Sequence, residues 1–282
     1  NYTFNNAGVF IVTLTVKDAA NNTHTDTVEI TVNDTTNPVA DAGPDQTVDQ
    51  GDLVTFDGSG STDNMAVDNY TWNFTDGGAQ MVYGVDANYT FNNAGVFIVT
   101  LTVKDNDGNT NTDTVTITVN DTTNPVADAG PAQTVNQSDL VTFNGSGSTD
   151  NVGVVNYTWN FTDGGAQTLY GAGPNYTFND AGSFVVTLTV KDAAGNSHLD
   201  TVTITVNDTT NPVADAGANQ TVNQGDLVTF NGSGSTDNVA VDNYTWTFAD
   251  GGAQTIYGVD ANYTFNDAGS FVVTLTAKDA AG

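Results

Sequence analysis

The run Asn-Pro-Val-Ala-Asp-Ala-Gly begins at Asn37, again at Asn124 and again at Asn211, so one 87-residue unit recurs without insertion or deletion. A fixed period of that length argues against a single large globule and predicts a tandem array of small domains. Residues 124–195 and 211–282 differ at only 12 of 72 positions, so whatever one unit does its neighbours are expected to do too. Such redundancy suits a mechanical or multivalent role better than catalysis.

The register divides the chain into residues 1–36, the C-terminal part of a repeat; 37–123 and 124–210, two full repeats; and 211–282, a repeat lacking its last strand. Asn1 aligns with Asn88, Asn175 and Asn262, and residues 1–21 repeat the register of 262–282, so the chain reads as a window on a longer polymer. A second reading is strand donation, in which 1–36 completes the unfinished repeat of a neighbouring molecule.

Charge narrows the possible partners. Four lysines and no arginine stand against 33 acidic residues, all aspartate except Glu29, for a formal net charge of -29. Phosphate backbones are held by clustered Lys and Arg, so nucleic acid is not an expected partner. Such a surface attracts cations instead. There is no cysteine, which excludes thiol chemistry, Cys-ligated zinc and disulfide staples. No apolar run approaches the roughly 20 residues of a membrane helix, so no membrane insertion is expected within this segment.

Within 124–210, clusters of Gly, Pro, Asn, Asp, Ser and Thr separate short runs of alternating polarity with no helical period. From Ser183 to Lys191, alternation places Phe184, Val186, Leu188 and Val190 on one face and Thr187, Thr189 and Lys191 on the other. Val202, Ile204 and Val206 repeat the pattern, Val141 and Phe143 mark an early strand, and Tyr157, Trp159 and Phe161 point inward from a middle one. About seven strands in a unit of this size, with a buried Trp in the third, predict an all-β tandem array of seven-stranded immunoglobulin-like β-sandwiches.

The segments Tyr157-Thr-Trp-Asn-Phe-Thr-Asp-Gly-Gly and Tyr176-Thr-Phe-Asn-Asp-Ala-Gly-Ser-Phe-Val-Val-Thr-Leu-Thr-Val-Lys-Asp, preceded by Asn144-Gly-Ser-Gly-Ser-Thr-Asp, resemble the PKD (polycystic kidney disease) domain across the whole unit. The usual Trp-x-Phe-Gly-Asp-Gly reads here as Trp-Asn-Phe-Thr-Asp-Gly, a departure at the turn. The resemblance implies a seven-stranded sandwich used in tandem as a spacer, adhesive or surface-layer module, of the microbial and especially archaeal cell-surface type.

Asn-x-Ser/Thr acceptors are dense. The expected N-glycosylation sites are Asn1, Asn33, Asn69, Asn73, Asn88, Asn120, Asn144, Asn156, Asn160, Asn175, Asn207, Asn231, Asn243 and Asn262, with further motifs at Asn21, Asn136 and Asn219. In a strand, Asn-Tyr-Thr puts Asn and Thr on one face and Tyr on the other, so a core-facing aromatic leaves the acceptor in solvent. The competing reading is that Asn and Thr are outward polar fillers.

Three polar segments are expected to converge at one end of each sandwich: the linker Asn120-Asp-Thr-Thr-Asn-Pro, the loop Ser148-Thr-Asp-Asn and the turn beginning Lys191-Asp192. Calcium wants six to eight oxygens from carboxylates, amides and carbonyls. The candidate ligands are Asp63, Asn64, Asp105, Asp107, Asn124, Asp150, Asn151, Asp192, Asp237 and Asp279. Asp105-Asn-Asp-Gly-Asn is the densest cluster, though it lacks the terminal Glu of an EF-hand loop. The resemblance adds that related PKD domains bind calcium near such a junction. Ordinary turn chemistry is the alternative, since Asp and Asn tolerate tight backbone conformations.

No catalytic constellation is visible. His24 and His198 are equivalent positions, but Asn111 replaces them in the intervening repeat. Trp72, Trp159 and Trp246 sit at inward positions, which favours the core over a sugar-stacking platform. The expected function is therefore a structural, N-glycosylated extracellular fibre, stalk or surface layer. Its partners would be further copies of itself end to end, its own glycans and other surface proteins, with calcium at the junctions. The alternative is a spacer, adhesive or carbohydrate-binding accessory array of a larger secreted hydrolase or adhesin.

Overall fold

The computed structural model describes residues 1–281 and resolves into two compact units, residues 1–123 and 124–282. The regular elements of the described residues are strands throughout, and no helix among them is long and apolar enough to cross a membrane.

Residues 124–210 show how the alternation becomes a sandwich. Strand Gly182–Asp192 pairs antiparallel with Ser197–Asn207, from Gly182 opposite Val206 to Lys191 opposite Ser197. The turn between them needs Gly195, whose φ of 97° lies where a side chain is strained. A five-stranded sheet then runs in the order Gln133–Asn136, Ser197–Asn207, Gly182–Asp192, Val154–Thr162, Ala166–Tyr170, with the first pair parallel and the rest antiparallel. A two-stranded sheet of Leu140–Thr142 and Asn175–Thr177 covers its apolar face.

The core lies between the two sheets. Val141, Phe143 and Phe178 meet Trp159, Phe161, Val186, Leu188, Val190, Val202, Ile204 and Val206, all buried. Trp159 is fully enclosed, stacks on Phe143 at 5.0 Å between ring centroids, and donates its indole N–H to the Gly171 carbonyl at 3.0 Å. That bond satisfies the one polar atom a buried Trp brings with it. Trp72 and Trp246 make the same bond to Gly84 and Gly258, which places all three tryptophans in cores and away from any exposed sugar platform.

Residues 37–123 repeat this plan, with a five-stranded sheet, a two-stranded sheet of Leu53–Asp57 and Asp86–Thr90, and a core cluster of their own. One difference has a local cause. Where 37–123 and 211–281 carry Ala87 and Ala261, the middle repeat carries Pro174, which has no N–H to give the ladder. Its two-stranded sheet accordingly shortens, and Phe143 lies just beyond the strand assigned to it in the sequence, still held by its N–H to the Pro174 carbonyl at 2.9 Å.

The partial repeats differ in burial. Gly8–Lys17 and Thr23–Val32 form a hairpin in the same register as their equivalents. Leu14 is nevertheless 63% exposed, whereas Leu101 is fully buried. In 211–281, Thr274–Lys278 pairs with Asn243–Thr247, and a smaller cluster around Trp246, Phe230 and Phe265 forms the core.

Candidate cation sites at the repeat termini

In the unit 1–123, three aspartates from distant parts of the chain meet: Asp34, Asp63 and Asp105 each place one carboxylate oxygen within 4.8 Å of the others. Each is positioned by local hydrogen bonds that occupy part of the carboxylate. Asp34, in the segment after Thr23–Val32, accepts the Thr36 N–H on Oδ1 at 2.9 Å. Asp63 folds its own loop by accepting the N–H groups of Met65 and Ala66 on Oδ2 at 2.8 and 3.1 Å. Asp105 closes the strand Gly95–Asp105. Its Oδ1 accepts the N–H groups of Gly108 and Asn109 at 2.7 and 2.8 Å, and its Oδ2 accepts the Asn109 amide at 2.6 Å.

That division of labour leaves oxygens over. Asp34 Oδ2 and Asp63 Oδ1 are buried and have no hydrogen-bond partner among the described residues. A buried charged oxygen without a donor is costly, and clustered carboxylates repel one another unless a cation lies between them. The donor set is oxygen only and anionic, as a hard divalent cation requires, so the residues fit the calcium ion that the sequence resemblance implies.

Asp208, Asp237 and Asp279 form the same arrangement within the unit 124–282. Asp237 Oδ2 accepts the Val239 and Ala240 N–H groups at 2.9 and 3.0 Å, while its Oδ1 is buried and unpartnered. Asp279 Oδ1 accepts the Ala281 N–H at 2.9 Å. In the same unit, Asp150 and Asp192 stand one period after Asp63 and Asp105. Asp150 again binds its own loop through the Val152 and Gly153 N–H groups, with Oδ1 buried and unpartnered.

Burial works to raise the Asp105 carboxyl, but hydrogen bonds from the Asn109 side chain and from the backbone of Asn109, Gly108 and Asp107 outweigh it and hold it below the ordinary carboxylate range. Asp192 is held down in the same way, with Asn196, Gly195 and Ala194 as donors. A carboxyl depressed in the folded state stabilises the fold fully above its unfolded value, near pH 4, and the contribution disappears as pH falls through the folded value. In calcium-free buffer, Asp105→Asn should therefore lower the denaturation midpoint at pH 7, and the gap from the unsubstituted chain should close as pH falls through the folded carboxyl's value. A gap that stays constant with pH would show that the carboxylate's charge is not what the donors hold.

The sequence names Asp63, Asp105, Asp237 and Asp279 but not Asp34 or Asp208. Their signal lies in the repeated linker Asn-Asp-Thr-Thr-Asn-Pro, whose second residue is the aspartate. Asp107 is exposed and lies outside the three-carboxylate set, while the Asn109 side chain packs on Asp105. Asn64, Asn124 and Asn151 are exposed. Asn238, the equivalent of Asn64 and Asn151, donates its amide to Asp208 Oδ1 at 3.2 Å and to Gln137 Oε1 at 3.4 Å, a supporting contact to the linker carboxylate.

The acceptor asparagines are distributed as alternation requires. Of those expected to carry glycans, Asn73 is half-buried and the other thirteen are exposed, including Asn156 and Asn160 on either side of the enclosed Trp159. They are not equivalent in local bonding. Asn69, Asn156 and Asn243 accept on Oδ1 from the hydroxyl of their own Thr71, Thr158 and Thr245, whereas Asn120 donates its Nδ2, the atom that would carry a sugar, to Asp49 at 3.0 Å.

The histidine position is structural. His198 accepts the Ala127 N–H on Nδ1 at 3.1 Å, and in the preceding repeat Asn111 instead donates its amide to the Pro38 carbonyl at 2.9 Å. Both tie the opening segment of a repeat to its last strand. Two positions on, Asp113 and Asp200 do so through Ala42 and Ala129.

A tandem array of immunoglobulin-like sandwiches with a Trp core and acidic termini defines the class. The chain belongs to the PKD domain family, whose profile matches residues 35–119, 122–206 and 209–282. It is 32% identical over 267 residues to the mouse dyslexia-associated protein KIAA0319-like protein, covering 88% of this chain and 25% of that protein. Over 179 residues it is 33% identical to chitinase A1 of Niallia circulans, covering 57% of this chain and 24% of the chitinase. The chain thus spans about a quarter of the length of these relatives. Among solved structures, human CDH23 EC21-23 aligns at a TM-score of 0.43 with 14% identity, covering 87% of this chain and 96% of that one. These relatives are mammalian and bacterial and give no support to the archaeal part of the expectation.

Proposed function

We propose that the chain is a segment of a long, N-glycosylated extracellular fibre, stalk or surface-layer protein whose repeats are stiffened at their termini by calcium. The observation that carries this reading is the recurrence, within each compact unit, of three converging carboxylates with buried oxygens left unpartnered. Asp34, Asp63 and Asp105 would hold one ion, and Asp208, Asp237 and Asp279 another. The ion would supply charge neutralisation and fix the linker against its repeat, with no part in bond making. A non-catalytic role agrees with His198 engaged by the Ala127 N–H and tryptophans enclosed in cores.

The exposed sequons support a glycoprotein. Electron cryo-microscopy of material from the source should show a continuous filament with extra density on Asn156 and Asn160, and intact mass should show the corresponding sugar increments. Separate flexible beads with unmodified asparagines would sink this reading. They would favour the second one, a spacer or carbohydrate-binding accessory array of a secreted enzyme or adhesin, for which the similarity to chitinase A1 is the specific support.

A further inference from the structure

Each repeat contains another buried aspartate, in the Thr-Asp-Gly-Gly or Ala-Asp-Gly-Gly turn and separate from the three-carboxylate sets: Asp76, Asp163 and Asp250, exposed by 6%, 7% and 8%. In residues 37–123 this carboxylate is fully engaged. The Tyr89 hydroxyl and the Asn92 N–H donate to Oδ2 at 3.1 and 3.3 Å, and the Asn93 amide donates to Oδ1 at 2.6 Å. One period later Asn93 becomes Asp180, and two periods later Asp267.

A carboxylate has no N–H to donate, and the surroundings respond. Tyr176 and Tyr263 keep their hydrogen bonds to Asp163 and Asp250 at 3.0 Å. Asp163 Oδ1, equivalent to the oxygen that the Asn93 amide satisfies, is buried without a partner. The replacing side chain also stands further off. A methyl group built in place of the Gly77 hydrogen would lie 3.4 Å from Asn93 Nδ2, whereas one at Gly164 or Gly251 would meet nothing within 4 Å. The turns themselves are alike, with φ of 65°, 60° and 64° at those glycines. Burial, the hydrogen bond to Asp163 and the charges of Asp163 and Asp180 all hold the Tyr176 phenol above its ordinary value, so both carboxylates act at one place.

We propose that Asp163 with Asp180 and, by the 87-residue register, Asp250 with Asp267 form a second class of hard-cation site, absent from residues 37–123 because the Asn93 amide occupies the cation's position; the unpartnered oxygen is seen at Asp163. Nothing in this assignment rests on the three-carboxylate sets. An unpaired buried carboxylate is sustained by neutralisation or coordination. Calcium binds carboxylates at about 2.3–2.6 Å and completes its shell with water, so a two-carboxylate site is weak and fills only at high calcium.

The chain contains its own control, since asparagine at this position already folds in residues 37–123. The probe is calcium alone, counted by equilibrium dialysis of the full chain at millimolar concentration. Asp180→Asn should remove about one bound calcium per chain, D180N/D267N about two, and Asn93→Asp should add about one. Terbium luminescence sensitised through Tyr176 should fall in D180N in step with the count. Equal calcium binding by D180N and the unsubstituted chain, with no change in luminescence, overturns the proposal.

Discussion

Chelating calcium with EGTA should lower the thermal midpoint of the full chain by roughly 10–20 °C. The size follows from linkage: an ion held at about 100 times its dissociation constant stabilises the state that binds it by about 2.7 kcal/mol, and about 1 kcal/mol moves the midpoint of a domain this small by roughly 4–8 °C. The unfolded chain has no assembled set of carboxylates to compete for the ion. The double variant D63N/D105N should lose the calcium-dependent part of this shift for residues 37–123 while the other repeats keep theirs. In EGTA at pH 7 the same variant should melt below the unsubstituted chain, as Asp105→Asn alone does, because the donors around Asp105 lose the charge they hold, so the calcium effect is read within each protein. A melting curve indifferent to calcium would leave these aspartates as turn formers only. Differential scanning calorimetry, with calcium and EGTA arms for both proteins, reads all of these outcomes.

The fold was legible because two periods point the same way. The 87-residue register isolates the repeat, and the two-residue alternation within it sends Val186, Leu188, Val190, Trp159 and Phe161 to one core. Asp63 and Asp105 were legible as well, since each sits in a loop whose chemistry is local. Asp34 was harder to see: one side-chain bond to Thr36 looks like any linker turn, and its second oxygen gains significance only when Asp63 and Asp105 arrive from elsewhere in the chain. Asp107 shares a turn with Asp105 but is exposed. The replacement of Asn93 by Asp180 is a one-period register difference in the sequence. Its meaning depends on Asp76 Oδ1, a contact across the sandwich that no spacing rule supplies.

Trp159→Ala should abolish the fold of residues 124–210 and of little else. Truncating a fully enclosed Trp costs about 3–5 kcal/mol, and the Gly171 carbonyl it leaves behind without its donor costs about 1–3 kcal/mol more if still buried. A repeat of this length at about 0.05–0.15 kcal/mol per residue has roughly 4–13 kcal/mol in all, so the loss consumes much or all of it. Residues 37–123 draw on a separate cluster around Trp72, and 211–281 on one around Trp246. Hydrogen exchange read by mass spectrometry should therefore show protection lost from Val154 to Asn207 in the variant and retained from Val67 to Asn120. Loss of protection across both stretches at once would mean that the repeats fold as one cooperative body, and the separate cores would then not be separate units of stability. Retained protection everywhere would mean that the Phe143, Phe161 and Phe178 rings can close over the cavity unaided. That outcome would move the source of the repeat's stability from its central Trp to the aromatic cluster around it.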